Sequence, residues 1–138
     1  MKTRLAFAAV MMVLSSRALA ADDWLPVTTS TTGSVWKVRF SDILNTTNQS
    51  PHVWIHVDAS KDATVQYREQ KQFAWIDCAY ETVKTVSFVT YRADGTVIDS
   101  SSTPYAAAKP IVPDTVMSAV KEAVCPSEGK LEALSTAK

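Results

Sequence analysis

The sequence predicts an α+β protein: an antiparallel β-meander followed by one C-terminal helix, with a disulfide tying the two together. Three observations carry this. Between Phe73 and Ser102 the segments FAWIDCAY, TVKTVSFVTYR and GTVIDSSS read as consecutive strands. The second and third are separated by Ala93-Asp94-Gly95, where glycine takes the positive φ of a tight reversal without steric cost. Pro113-Asp114-Thr115 then opens a segment in which Val116, Met117, Val120 and Val124 recur at helical spacing.

The chain starts with Lys2 and Arg4, continues through an apolar stretch from Leu5 to Leu14, and reaches Ala18-Leu19-Ala20, the small-x-small pattern of a leader cleavage site. A membrane span needs about 20 apolar residues, and Ser15, Ser16 and Arg17 end this one early. Residues 1–20 are therefore expected to be a signal peptide cut between Ala20 and Ala21. Taking 20 residues from 138 leaves a mature chain of 118, enough for one domain with one core. No cysteine follows the cleavage point, so no lipoprotein anchor is expected, and no transmembrane segment remains after cleavage. Loss of Lys2, Arg4 and Arg17 turns a balance of 14 basic against 14 acidic residues into 11 against 14. A mildly acidic chain without a Lys/Arg stripe is a poor partner for nucleic acid.

Along the mature chain, Trp24-Leu25-Pro26-Val27 is a short strand restricted by its proline to a strand start or a sheet edge. Val35 to Phe40 alternates, with Trp36, Val38 and Phe40 expected inward. Ser41 to Pro51 is a polar loop with glycosylation-type matches at Asn45 and Asn48. His52 to Asp58 alternates again, with Val53, Ile55 and Val57 inward and His52, Trp54 and His56 outward. Ala59 to Lys71 is a charged connection in which Thr64 to Tyr67 offers a short strand extension. If Cys78 faces the helix, Ala74, Ile76 and Tyr80 share its side while Phe73, Trp75 and Asp77 take the other. In the next strand Val86 and Phe88 fall on one face and Val83, Val89 and Tyr91 on the other. The helix should stop at Val124, because Cys125 precedes Pro126 and is pushed out of the α region. Pro126 to Lys138 reads as a flexible tail, which leaves a single domain over residues 21–125.

With only two cysteines in an exported chain, Cys78 and Cys125 are expected to form one disulfide. Closing a loop of that size is worth on the order of 4 kcal/mol in the chain-entropy model. A catalytic reading finds little to use. Asp77, Glu81, Asp94 and Asp99 supply carboxylates, but at turn and strand positions where such residues are ordinarily solvated. His52 and His56 lie four residues apart in a strand, about 13 Å at about 3.3 Å per residue, too far to share one ion. Three glycines, Gly33, Gly95 and Gly129, leave no phosphate-cradling loop. No catalytic residue, metal ligand or cofactor is assigned.

The order of features has a family likeness. A tryptophan soon after the leader, Val53-Trp54-Ile55, Asp77-Cys78-Ala79, the run Thr90-Tyr91-Arg92-Ala93-Asp94-Gly95-Thr96-Val97, and a Pro-led helix closing on Val124-Cys125 together resemble the surface-adhesin protein E family of Gram-negative bacteria. The likeness spans Trp24 to Cys125. It implies a curved antiparallel sheet of about six strands with the C-terminal helix held against it by the Cys78–Cys125 disulfide. It also implies a non-catalytic binding function, since the founding adhesin binds host extracellular-matrix and serum proteins. That adhesin is a lipoprotein on the outer membrane, and this chain departs from it by having no cysteine after the leader.

The functional expectation is an exported protein, periplasmic or secreted, that binds a protein partner and is compatible with a homodimer. Trp54, Phe73 and Trp75 are the candidate contact residues, because they fall on the face away from the helix. The same three rings could instead pack on one another as a second small core. A periplasmic accessory or inhibitor role is the alternative function, and a hydrolase the third.

Overall fold

A computed structural model describes residues 23–41 and 50–125. The expectations for the leader and its Ala20/Ala21 cleavage point, for Asn45 and Asn48, and for the tail from Pro126 lie outside the described residues. The strands are β1 (Leu25–Thr29), β2 (Val35–Phe40), β3 (His52–Asp58), β4 (Glu69–Asp77), β5 (Thr82–Tyr91), β6 (Val97–Ser102) and a two-residue β7 (Lys109–Pro110), followed by α1 (Val116–Val124). The first six lie side by side in chain order, each antiparallel to the one before, and β7 pairs with the start of β5 at Thr82 and Val83.

The predicted meander with a C-terminal helix is therefore what forms, and the core follows from the alternation. Val53, Ile55 and Val57 of β3 are fully buried, while His52, Trp54 and His56 between them are half-exposed. Register sets Val38 opposite Ile55 and Ala74 opposite Val53. These residues meet Ile76, Ile111, Val120 and Val124 in one cluster, with Trp36, Val83 and Met117 packed at its margin. Each fully buried Val or Ile contributes about 1.5–3 kcal/mol relative to an exposed one.

α1 has local reasons to begin and end where it does. The Thr115 hydroxyl accepts from the Ser118 N–H at 3.3 Å, and the Ser118 hydroxyl accepts in return from the Thr115 N–H at 3.1 Å. This reciprocal capping satisfies two N–H groups that a helix start leaves open. At the far end Cys125 is extended (φ −84°, ψ 134°), as its place before Pro126 requires. It bonds Cys78 across a sequence separation of 47, with the two Cα atoms 5.8 Å apart.

Six expectations are corrected. Cys78 is not in a strand: β4 ends at Asp77, whose carboxylate accepts from the Ala79 and Tyr80 N–H groups and turns the chain. Tyr80 is consequently outside the alternation and 81% exposed. Val83 joins the face of Phe88 instead of that of Val89 and Tyr91, because β5 carries a bulge in which Thr85 and Ser87 pair with consecutive residues of β4 and the buried Val86 is the extra one. Val83 thus lies opposite Ile76 on the core side, and Phe88, opposite Gln72, shares that side. Phe40 sits on the expected face but at the strand's end, and remains 37% exposed. Asp114 does not enter the first helical turn: it adopts φ 59°, just before the Thr115 cap. Thr64 to Tyr67 form no strand, and β4 begins only at Glu69.

The reason is Asp62. Its carboxylate accepts from the hydroxyls of Thr32 (2.5 Å), Ser34 (2.6 Å) and Thr64 (2.6 Å) and from the Thr64 N–H (2.9 Å). These bonds pin the β1–β2 turn to the β3–β4 connection. Gly33 lets the two loops touch, since it holds φ +103° and a Cβ there would lie 3.1 Å from the Lys61 carbonyl oxygen.

Candidate binding face

Helix α1 packs on the face of the sheet that carries Val38, Ile55 and Ile76. The opposite face is built by the other half of the alternation. Pairing across the strands sets Arg39 opposite Trp54, Trp54 opposite Phe73, His52 opposite Trp75, His56 opposite Lys71, and Trp75 opposite Lys84. Directly opposed residues are close enough for their side chains to meet, and here they do.

The rings form a connected ladder. Trp54 and Phe73 lie 5.0 Å apart between centroids, His52 and Phe73 meet edge-to-face at 6.2 Å, and His52 stacks on Trp75 at 4.5 Å. Trp24, just before β1, tilts against His56 at 5.2 Å. Cations close the ends: the Arg39 guanidinium lies 4.9 Å over the Trp24 ring and the Lys84 ammonium 4.7 Å over Trp75. Such contacts contribute about 0.5–1 kcal/mol each at exposed sites.

The predicted contact residues Trp54, Phe73 and Trp75 are thus brought together on one face; Trp54 packs on Phe73, while Trp75 is joined to them only through His52. Trp75 is still 37% exposed despite its stacking. Among the described residues no helix or strand covers this face. Partial burial holds the His52 pKa below its ordinary value. Acids are interspersed on the same face: Glu69 takes His56 Nε2 at 3.1 Å and Lys71 Nζ at 3.0 Å.

Sequence reasoning missed Trp24, Arg39, Lys71 and Lys84 as parts of this surface. Arg39 and Lys71 had a signal in the alternation that turned them outward. What put a cation beside each end of the ladder is cross-strand register, which no single strand encodes.

Three of the four carboxylates weighed for catalysis have other occupations. Asp77 caps the turn after β4, Asp94 accepts from the Thr96 N–H and hydroxyl at the β5–β6 turn, and Glu81 pairs with Lys121 of the helix. Among the described residues no three His, Cys, Asp or Glu side chains are grouped to hold a metal ion. Nor is any described helix long and apolar enough to cross a membrane.

A short meander, a helix strapped to one face by a disulfide, and an aromatic and cationic opposite face define a small α+β module whose distinctive chemistry is on an open sheet surface. The family profile described as Surface-adhesin protein E matches residues 20–126, and the chain belongs to that family. No curated protein matches the chain, and no solved structure does either.

Proposed function

We propose that this chain is an exported, non-catalytic binding protein that engages a protein partner, an extracellular host protein or a component of the bacterial envelope, through the outer face of its sheet. One observation carries the reading: Trp54, Phe73 and Trp75 are gathered on a face that no described element covers, with Lys84 and Arg39 beside them. Aromatic and arginine side chains are the residue types in which binding energy concentrates at protein interfaces. Membership in a family of surface adhesins supports the same assignment. A second copy of the chain is one partner this face can accept.

The double variant Trp54→Ala with Trp75→Ala tests it. Binding to immobilised extracellular-matrix preparations, and self-association by sedimentation, should weaken by at least about 30-fold, the equivalent of one interfacial hot spot. The melting temperature should fall by only a few degrees. Collapse of the monomer's stability with unchanged binding by the folded fraction would assign the rings to the fold instead.

Residues 1–20 are proposed to be an export leader, so that the protein reaches the periplasm or the medium starting at Ala21 and without a lipid anchor. Lys2 and Arg4, the apolar stretch behind them and Ala18-Leu19-Ala20 support this. Intact mass of the protein purified from its native cells should correspond to a start at Ala21; a mass that includes Met1 would overturn the proposal.

A further inference from the structure

At one end of the aromatic ladder the surface is hollowed. Trp24, Arg39, Trp54 and Lys71 line a pocket of 260 Å³ that opens to solvent. We propose that this pocket binds a single acidic sugar, a pyranose bearing a carboxylate, such as the terminal residue of a glycan. The proposal rests on the outer face being the ligand-facing side of the protein, and it names a class of ligand for one part of that face.

Size comes first. Pockets that engulf a drug-sized molecule run from about 300 to 1,000 Å³, so this smaller, open one has room for one ring and its substituents. Its walls are two indoles, and an indole face is matched by the apolar C–H side of a sugar ring. Trp54 meets Phe73 at a tilt of 38° and still lines the pocket.

Charge comes second. None of the four lining residues is acidic. Their two cations are not equivalent. The Lys71 ammonium is held by Glu69 at 3.0 Å and lies 5.6 Å over the Tyr91 ring, so its charge is already largely answered. Arg39 is exposed, makes no ion pair among the described residues, and has its guanidinium carbon 4.9 Å over the Trp24 ring. An exposed guanidinium without a carboxylate partner has its N–H fork to offer, and that fork donates two parallel hydrogen bonds to a carboxylate. One carboxylate therefore satisfies Arg39, and one sugar ring meets Trp54, since the Trp24 ring already carries Arg39 over it and His56 beside it. A polyanion finds less here, because Asp58, Glu69 and Asp77 occupy the same face of the sheet and the chain without its proposed leader has 11 basic against 14 acidic residues.

Titration followed by the indole N–H resonances of the four tryptophans decides the matter. The probes are sodium glucuronate and N-acetylneuraminate, with methyl glucoside as the neutral ring, sodium acetate as the bare carboxylate, and a glutamate-rich peptide. The Trp24 and Trp54 signals should shift saturably with the two acidic sugars, with a Kd on the order of millimolar for one charge-assisted pair and one stacked ring. Trp36 and Trp75 should stay in place. Arg39→Gln should weaken the acidic sugars by at least about tenfold, Arg39→Lys should recover only part of that, and Tyr105→Ala, at a 95% exposed position away from the ladder, should leave sugar affinity unchanged. Equal response to methyl glucoside or to acetate would overturn the proposal, as would wild-type affinity in Arg39→Gln. Tighter binding of the glutamate-rich peptide than of either sugar would reassign the pocket to an acidic protein segment. Loss of partner binding on Trp54→Ala with Trp75→Ala, together with silence toward every sugar, would refute the pocket and leave the protein-binding face standing.

Discussion

Cys78→Ser is expected to cost about 2–5 kcal/mol of stability, the usual loss when a small secreted domain gives up its native disulfide. The reason lies in how little else holds α1. Its buried contribution to the core is Val120 and Val124, with Met117 and Ala123 packed at the margin. Its polar ties to the sheet are the Lys121–Glu81 pair, at an exposed position where ion pairs contribute little. Removing the bond frees the helix end nearest Val124 and with it a residue of the main cluster. Urea melts of wild type and variant, read by far-ultraviolet circular dichroism for the helix and by tryptophan fluorescence for the sheet, should show a lower midpoint in both. An unchanged midpoint would mean that packing alone retains the helix. A lower midpoint for the helix signal with an unmoved sheet signal would mean that the sheet does not depend on being covered.

The second large effect is expected at Asp62. It is a buried carboxylate, 3% exposed, in a loop, and it serves four donors from three residues. Those hydrogen bonds, first from Ser34 and then from Thr32 and Thr64, hold its pKa far below the ordinary carboxylate value. The sign follows from linkage: a carboxylate with a depressed pKa in the folded state stabilises fully above its unfolded value near about 3.9. That contribution is lost as pH falls from there toward the folded value. Asp62→Ala should therefore lower the melting temperature at pH 7 well beyond the effect of Asp94→Ala, whose carboxylate serves an exposed turn. It should also flatten the decline in stability that wild type shows below about pH 4. Equal melting temperatures for the two variants, or an undiminished acid decline in Asp62→Ala, would remove Asp62 from its place between the loops.

Much of the architecture is legible in the chain because it depends on local pattern. Period-two alternation in Val35–Phe40 and His52–Asp58 gives β2 and β3 and their buried faces. Pro126 fixes the end of the helix at Val124 without reference to anything outside the segment. The disulfide follows from there being two cysteines. Alternation misleads where strands are not regular: the extra residue Val86 reverses the parity of β5, and β4 stops one residue short of Cys78. A bulge leaves no trace in hydrophobic pattern when both neighbours are apolar or neutral, as Thr85 and Ser87 are. Asp62 is illegible for a different cause. Its donors at Thr32 and Ser34 are about 30 residues away in sequence, and an aspartate in a polar connection looks the same whether it is solvated or buried. The candidate face divides in the same way, since Trp54, Phe73 and Trp75 were visible as outward rings, while their alignment with Arg39 and Lys84 required knowing which residues stand opposite.

The order of the strands has a kinetic consequence. Each of β2 to β6 pairs with the strand immediately before it, so the sheet closes through a series of short loops that cost little chain entropy and form early. Helix α1 is the exception, because it lies against β1 and β2, about 90 residues back along the chain, and such distant closures come late. The apolar side of the sheet, with Val38, Val53 and Ile55 on it, is thus assembled before the element that hides it arrives. During that interval the molecule presents a ready-made sticky surface, and crowding of incompletely folded chains is the circumstance in which this protein is most exposed to aggregation.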